Sequence, residues 1–227
     1  MEIKDVFNRR ASRIADAFSE AFAVAVVLWL IVMLLSCTGS GRTSGTSAPD
    51  PLKTVVSIRT TQFFANDSLS DSDMRTILDA GINAPSAMNK QPWHFSVVSD
   101  GSVLEEIQSS MRLPDGFKPP KIKKAGLTDA PAVIVVSCAD NSQFDAGLAC
   151  QNMSVAANLL GYGTKIISSP NIALNGDRKE EFKRMLDIPS EMSAAAVLLI
   201  GREASDVPDG VSAASSRKAS QEIVSFI

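Results

Sequence analysis

The sequence predicts an α+β fold over residues 54–227, a mixed α/β sandwich in which helices flank a central sheet. Helical and strand-like patterns alternate along this region, but at uneven spacings. Ala132–Val136 reads AVIVV and is apolar on both faces, which is typical of a central strand. Neither GxGxxG nor GxxxxGK[ST] occurs, so the sequence argues against the common dinucleotide and triphosphate cradles of doubly wound folds.

The first two helices of the domain are predicted from capping residues and apolar spacing. One begins after Ser70, with Asp73 in the capping-box position, and ends at Gly81. Its apolar positions are Met74, Ile77 and Leu78. The apolar positions that mark the second helix are Val103, Leu104, Ile107 and Met111.

The other elements follow from the same patterns. A long helix is predicted over Asp145–Leu160 and ends at Gly161-Tyr162-Gly163, and a shorter one contains Phe182, Met185 and Leu186. Besides Ala132–Val136, strands are predicted at Phe95–Val98 and Ala195–Ile200, and Lys165–Ser168 is predicted to be a short strand or a turn. A loop rich in Pro and Lys is predicted over residues 116–124.

The first 53 residues read as a targeting segment rather than as part of the fold. Residues 21–35 form an uninterrupted apolar run, shorter than a comfortable membrane span and of the length of a signal-peptide core. Leu34-Leu35-Ser36-Cys37 follows it and resembles the bacterial lipobox. We therefore predict a lipoprotein signal peptide over 1–36, lipid attachment at Cys37, and a flexible tether over 37–53. An uncleaved signal anchor is the alternative, and both interpretations place the domain outside the cytoplasm.

Composition excludes several classes of function. The formal net charge is −3, so the composition shows no excess of basic residues of the kind that binds nucleic acid. His94 is the one histidine of the chain, so a two-histidine metal site is excluded, and a Ser-His-Asp or Cys-His site would need His94 itself. We interpret His94 as a surface or rim residue. Cys138 and Cys150 are interpreted as core residues, because neither has a metal-ligand spacing.

Four stretches, in order, give the chain a resemblance to the FMN-dependent nitroreductase family over nearly all of residues 55–227. The first is IRTTQFF, residues 58–64, similar to the family's RRSxRxF, and the second is APSAMNKQPWHF, residues 84–95. The third is Ala130-Pro131 with its strand and DAGLACQNMSVAANLLGYGT, residues 145–164. The fourth is LDIP, residues 186–189, leading to AVLLIG and SSRKASQEIV. Any one stretch is weak, but four in register indicate the family.

The resemblance implies an FMN site and the residues that form it. Arg59 matches the arginine that reaches the flavin phosphate, and Thr60 stands in the place of the family's serine. Arg217 and Lys218 would supply a second cation, whereas Gln62 replaces an arginine that the family usually repeats. The remaining predicted contacts are Pro85, Ser86 and Asn89 at the flavin's polar edge and ribityl chain, and Ser168 and Ser169, whose backbone would pass over the flavin.

The resemblance also implies an activity. It predicts a homodimer with exchanged segments and ping-pong hydride transfer from NAD(P)H to an electron-poor aromatic acceptor, such as a nitroaromatic or a quinone. FMN carries the chemistry in such a reaction, so no catalytic side chain is predicted. A membrane-tethered flavin-binding or carrier module without turnover is the alternative from another class. Within the family, a dehalogenating or ring-cleaving activity is a further alternative.

Overall fold

The computed structural model describes residues 50–112, 116, 124–206 and 216–227. The four strands are β1 (Trp93–Val98), β2 (Ala132–Ala139), β3 (Gly163–Ile167) and β4 (Met192–Gly201). The α-helices are α1 (Pro51–Ser57), α2 (Asp71–Ile82), α3 (Gly101–Ser110), α4 (Gln143–Leu159), α5 (Asn171–Leu174), α6 (Lys179–Met185) and α7 (Ser220–Ile223). Short 3-10 turns cover Ala87–Asn89 and Leu127–Asp129.

The strands form one antiparallel sheet in the order β1-β2-β4-β3. The central position predicted for residues 132–136 is confirmed, because β2 pairs with β1 on one side and β4 on the other. The register of β2 and β4 shifts between Val136 and Ser137, which is a bulge. Asn175 satisfies part of the freed backbone there, since its side chain bonds both the N–H and the carbonyl of Ala194.

Each face of the sheet is covered by one layer of helices, so the predicted α+β sandwich is confirmed. Side chains of α2 and α4 pack on the face that carries Ile134, Val136 and Cys138, and we call this the α4 layer. Side chains of α3, α5 and α6 pack on the face that carries Val133 and Val135, and we call this the α3 layer. Burying both faces of β2 explains its continuous apolar run.

Local signals placed the helix ends within a few residues. Ser70 caps α2, as predicted, by accepting a hydrogen bond from the backbone N–H of Asp73 at 3.1 Å. The Asp73 carboxylate accepts a hydrogen bond from the Tyr162 hydroxyl at 2.7 Å, which ties the start of α2 to the residues after α4. This bond from Tyr162, and after it a hydrogen bond from the Ser70 hydroxyl to the carboxylate, lower the pKa of Asp73 below its ordinary value. Gly161, at φ +85°, follows α4 in the left-handed region that ends helices.

Several element boundaries differ from the predictions, and those of α1, α4 and β3 are examples. α1 begins at Pro51, inside the segment interpreted as a tether, because Asp50 caps it and proline suits a first helical position. α4 begins two residues before Asp145. The strand predicted at Lys165–Ser168 runs over Gly163–Ile167 instead, since pairing with β4 begins at Gly163 opposite Gly201.

The predicted signal peptide, Cys37 and most of the tether lie outside the described residues, as does most of the loop over 116–124. Among the residues that the structure describes, no helix has the length and apolar character needed to cross a membrane.

Candidate cofactor site

One open cavity of about 270 Å³ collects three of the residues predicted to bind a cofactor. Arg59, Thr60 and Arg217 all line it, although Arg217 lies far from the other two in sequence. The remaining lining residues come from α1, the segment after it, α4 and β3, and they are Val55, Ile58, Gln151, Ser154, Thr164 and Ile166. Two arginines and several hydroxyl-bearing residues therefore line one volume, a donor set suited to an oxyanion such as a phosphate.

The edge of β3 positions Arg59 and Thr60. After α1 the chain is extended, Thr60 forms a parallel bridge with Thr164, and the N–H of Thr61 donates to the Thr164 carbonyl at 2.8 Å. The two segments approach closely here, since a Cβ at Gly163 would clash with the Thr61 hydroxyl. A glycine at 163 thus permits the segment that carries both predicted phosphate ligands to dock on the sheet.

A buried hydroxyl pair supports the floor of the cavity. The hydroxyls of Ser154 and Thr164 lie 2.7 Å apart, and the Asn158 amide donates to the Thr164 hydroxyl at 3.1 Å. Both hydroxyl residues are buried within the chain. Because their mutual bond uses one hydroxyl hydrogen at most, they keep hydrogen-bonding capacity toward a ligand.

Arg59 already has an anionic partner. Its Nη2 lies 2.9 Å from the Glu203 Oε2, with 53% of the arginine side chain and 35% of the glutamate side chain exposed. Gln62, which stands where the family repeats an arginine, donates instead to the Thr60 carbonyl at 2.8 Å. Lys218 is exposed beside Arg217 and does not line the cavity.

The loop that carries Pro85, Ser86 and Asn89 has an unusual backbone. Met88, Asn89 and Gln91 have φ values of 54°, 53° and 48°, in the left-handed region that non-glycine residues seldom adopt. The Ser86 hydroxyl accepts from the Gln91 N–H at 2.9 Å and holds the turn closed. Such backbone strain concentrates at binding and catalytic sites, so the loop is a candidate ligand-contacting segment.

The loop is anchored at the start of α4. The N–H of Ala87 donates to the Asp145 carboxylate at 3.3 Å, and Asp145 is buried. At the other end of the loop, the N–H of Ala139 donates to the Pro92 carbonyl, and Trp93 stacks on Phe95 with ring centroids 6.3 Å apart. Pro85 and Asn89 remain exposed, and Ser86 is half-buried.

The loop and the cavity lie at different levels along α4. Ser154 lines the cavity and follows Asp145 by nine positions, which is about 14 Å along a helix. The cavity therefore brings together Arg59, Thr60 and Arg217 but does not include Pro85, Ser86 or Asn89. Ser168 and Ser169 are exposed directly after β3, in the turn that leads to α5, and do not line the cavity either.

Six lining residues of the cavity were not predicted, and the three polar ones among them are Gln151, Ser154 and Thr164. Gln151 and Ser154 lie within a helix and Thr164 within a strand, so no turn or charge cluster marks them in the sequence. One weak signal exists in retrospect, because Gln151 and Ser154 are three positions apart and so lie on one side of α4.

The described residues offer no activated nucleophile. Cys138 and Cys150 are buried, as predicted, and burial raises the pKa of the Cys150 thiol to about 12. His94 is half-buried on β1 and lines a different cavity from that of Arg59. No group of three or more potential metal ligands occurs in the described part of the chain.

Two curated proteins resemble this chain in sequence over about two thirds of its length. A protein of Archaeoglobus fulgidus named NADH dehydrogenase/NAD(P)H nitroreductase is 30% identical over 159 residues, which are 66% of this chain and 83% of that protein. A protein of the same name from Methanothermobacter thermautotrophicus is 29% identical over 164 residues, covering 68% and 78%.

Solved structures show the same fold at lower identity. A nitroreductase with bound FMN from Bacteroides fragilis superposes with a TM-score of 0.65 at 21% identity, covering 79% of this chain and 99% of that one. An FMN-bound nitroreductase from Desulfitobacterium hafniense gives a TM-score of 0.64 at 23% identity, covering 80% and 100%. Residues 56–202 match the nitroreductase family, and the chain therefore belongs to that family.

Proposed function

We propose that this chain is an FMN-dependent oxidoreductase that takes reducing equivalents from NAD(P)H and passes them to an electron-poor aromatic acceptor, a nitroaromatic or a quinone. The observation that carries the proposal is the shared cavity of Arg59, Thr60 and Arg217. A phosphate dianion needs fixed cations and short donors, and this cavity provides both. The FMN-bound relatives and the nitroreductase names support the choice of cofactor and donor.

The residues of the chain divide the binding task. Arg59, Thr60 and Arg217, with Lys218 nearby, would hold the phosphate, while Ser154 and Thr164 present hydroxyls to the same volume. Pro85, Ser86 and Asn89 would contact the ribityl chain and the polar edge of the ring, and the backbone at Ser168 and Ser169 would cover part of the ring. The strained turn at residues 88–91 suits this role, because it holds Asn89 in a left-handed conformation that non-glycine residues seldom adopt.

FMN, when bound, would supply hydride acceptance and donation, and water in the open site would supply the proton that the reduced acceptor takes up. The chain therefore needs no nucleophile or dedicated acid of its own. The protein binds and orients the two reactants in turn. A single open site used in alternation by donor and acceptor gives ping-pong kinetics.

The purified protein tests this proposal directly. We expect it to be yellow, to bind FMN added to stripped protein, and to lose its flavin absorbance under NADH or NADPH without oxygen. Turnover with a quinone or nitroaromatic should give parallel lines in double-reciprocal plots. A colourless protein that takes up no FMN would overturn the proposal.

One result would favour the second candidate, a tethered flavin-binding or carrier module. The apolar run of residues 21–35 and the following Leu-Leu-Ser-Cys favour export, which would separate the domain from cytoplasmic NAD(P)H. A yellow protein that dithionite reduces, but that neither NADH nor NADPH reduces, would indicate this module or a different donor.

We also propose that the working form is a homodimer. The closing segment is exposed and apolar, with Phe226 at 98% of its full exposure, and Leu52 and Val56 are exposed on α1. β1 is an edge strand of the sheet formed by the described residues. A second copy of the chain that covers these surfaces would bury apolar side chains, and pair a strand edge, that a monomer would expose to water. A light-scattering mass of one chain at micromolar concentration would contradict the dimer.

The membrane attachment at Cys37 is proposed from the sequence, since that residue lies outside the described part of the chain. Cys37→Ala should abolish lipid labelling and leave an unprocessed precursor. Equal processing of the wild type and the variant would contradict the lipoprotein interpretation.

A further inference from the structure

Arg59 stands between two neighbouring cavities. It lines the first together with Arg217 and Thr60. In the second, of about 280 Å³, it lies with Glu203, Tyr162 and Asn158. Arg59 and Ile58 line both cavities, and the guanidinium of Arg59 is bonded to Glu203 in the second.

Of the two ion-pair partners, Glu203 is fixed through its backbone, whereas Arg59 has a long and exposed side chain that can move. The N–H of Ala65 donates to the Arg202 carbonyl at 2.9 Å, and the N–H of Ala204 donates to the Phe63 carbonyl at 3.1 Å. Phe64 and Glu203 form an antiparallel bridge between these two bonds. Arg59 has a long side chain that is about half exposed, so it is the mobile member of the pair.

A carboxylate and a phosphate compete for the same donors of an arginine, because both accept its planar fork of N–H groups. We propose that Glu203 lowers the affinity of the site for a phosphate ester. It holds Arg59 in an ion pair until the phosphate ester takes the place of Glu203 on the guanidinium. This inference rests on the proposed function, since the phosphate ester is that of FMN. Glu203 lowers the affinity for the phosphate in two ways: Arg59 must leave its partner, and the glutamate repels the incoming anion. The site thus binds its cofactor less tightly than it would if Arg59 were not paired with Glu203.

Glu203→Gln tests this role, because the amide keeps the shape of the side chain and removes its charge. An exposed ion pair is worth up to about 1 kcal/mol, so the variant should bind FMN roughly fivefold more tightly. The dissociation constant is read from quenching of flavin fluorescence on titration, which requires no turnover. Riboflavin, which lacks the phosphate, should bind the variant and the wild type equally.

Two further variants isolate the mechanism. Glu105→Gln changes the net charge by the same amount on α3, where the exposed Glu105 lines neither cavity, and it should leave FMN affinity unchanged. In the Arg59→Ala background, Glu203→Gln should tighten FMN binding by less than it does beside Arg59, because only the repulsion is relieved. Thermal unfolding at the wild-type temperature would show that Glu203→Gln leaves the fold intact.

The outcomes separate this inference from the proposed function. If the wild-type protein binds FMN but Glu203→Gln binds it no more tightly, the role of Glu203 is wrong and the proposed function stands. The role of Glu203 would also be wrong if Glu105→Gln tightened FMN binding as much as Glu203→Gln does, or if Glu203→Gln tightened riboflavin binding equally. An equal gain in FMN affinity from Glu203→Gln in the Arg59→Ala background would overturn it as well. If neither protein binds FMN, both the inference and the proposed function fail.

Discussion

Replacing Arg217 by alanine should weaken FMN binding by about 10- to 100-fold while leaving the fold nearly unchanged. Arg217 lines the cavity of Arg59 and Thr60 and is exposed, so its removal deletes a charged contact to phosphate without opening the core. Hydrogen bonds to charged groups contribute roughly 1.5–3 kcal/mol, which corresponds to that range of dissociation constants. Flavin fluorescence titration measures the change in affinity, and urea unfolding measures the change in stability.

Controls distinguish a phosphate contact from a general loss of positive charge. Arg75→Ala removes an exposed arginine on α2 that does not line this cavity, and it should leave FMN affinity unchanged. Riboflavin should bind Arg217→Ala and the wild type alike. Equal weakening toward riboflavin, or equal weakening by Arg75→Ala, would contradict a phosphate role. Arg59→Ala should have a smaller effect than Arg217→Ala, because Arg59 must first leave Glu203.

Replacing Phe182 by alanine should lower the free energy of unfolding by about 3–5 kcal/mol. Phe182 on α6 is fully buried in the α3 layer, and the guanidinium of Arg178 lies over its ring at 5.1 Å. Removing the ring would leave a cavity and deprive Arg178 of one contact, although Arg178 would keep its ion pairs with Glu106 and Glu181. Urea unfolding followed by circular dichroism gives the change.

Phe182→Leu is the matched control for this prediction. Leucine keeps most of the apolar volume, so we expect it to cost less than about 1.5 kcal/mol. The folded fraction of Phe182→Ala should keep its FMN affinity, because Phe182 and the α4 residues of the cavity pack on opposite faces of the sheet. A loss below about 1 kcal/mol for Phe182→Ala would contradict the packing of the α3 layer.

Several features of the fold were predictable because nearby residues determine them. Ser70 and Gly161 mark the start of α2 and the end of α4 through capping and left-handed geometry, and both act within one helical turn. The apolar run of β2 required burial on both faces, whatever its neighbours were. The burial of Cys138 and Cys150 also followed from their places in apolar patterns. The family resemblance rested on short motifs of the same local kind.

The candidate site was only partly predictable for the opposite reason. The sequence named Arg59, Thr60 and Arg217, but only packing against β3 and α4 showed that they line one cavity. Ser154 and Thr164 also line it, although no turn or charge cluster marks them in the sequence. The left-handed turn at Met88, Asn89 and Gln91 is likewise unmarked by glycine, since bonds such as that of Ala87 to Asp145, 58 positions away, help to hold it.

The sequence by itself determined the existence of α2, α3, α4 and α6, the strands β1, β2 and β4, and the central position of β2. The family resemblance added Arg59 and Arg217 as candidate phosphate ligands. The tertiary structure decided the strand order β1-β2-β4-β3, the helical start at Pro51 and the ionic partner of Arg59. Arg59 and Glu203 are 144 positions apart, and their contact depends on the pairing of residues 63–65 with 202–204. Periods and caps are fixed within a few residues, whereas such a pairing depends on the closure of long loops and on the packing of the whole sheet.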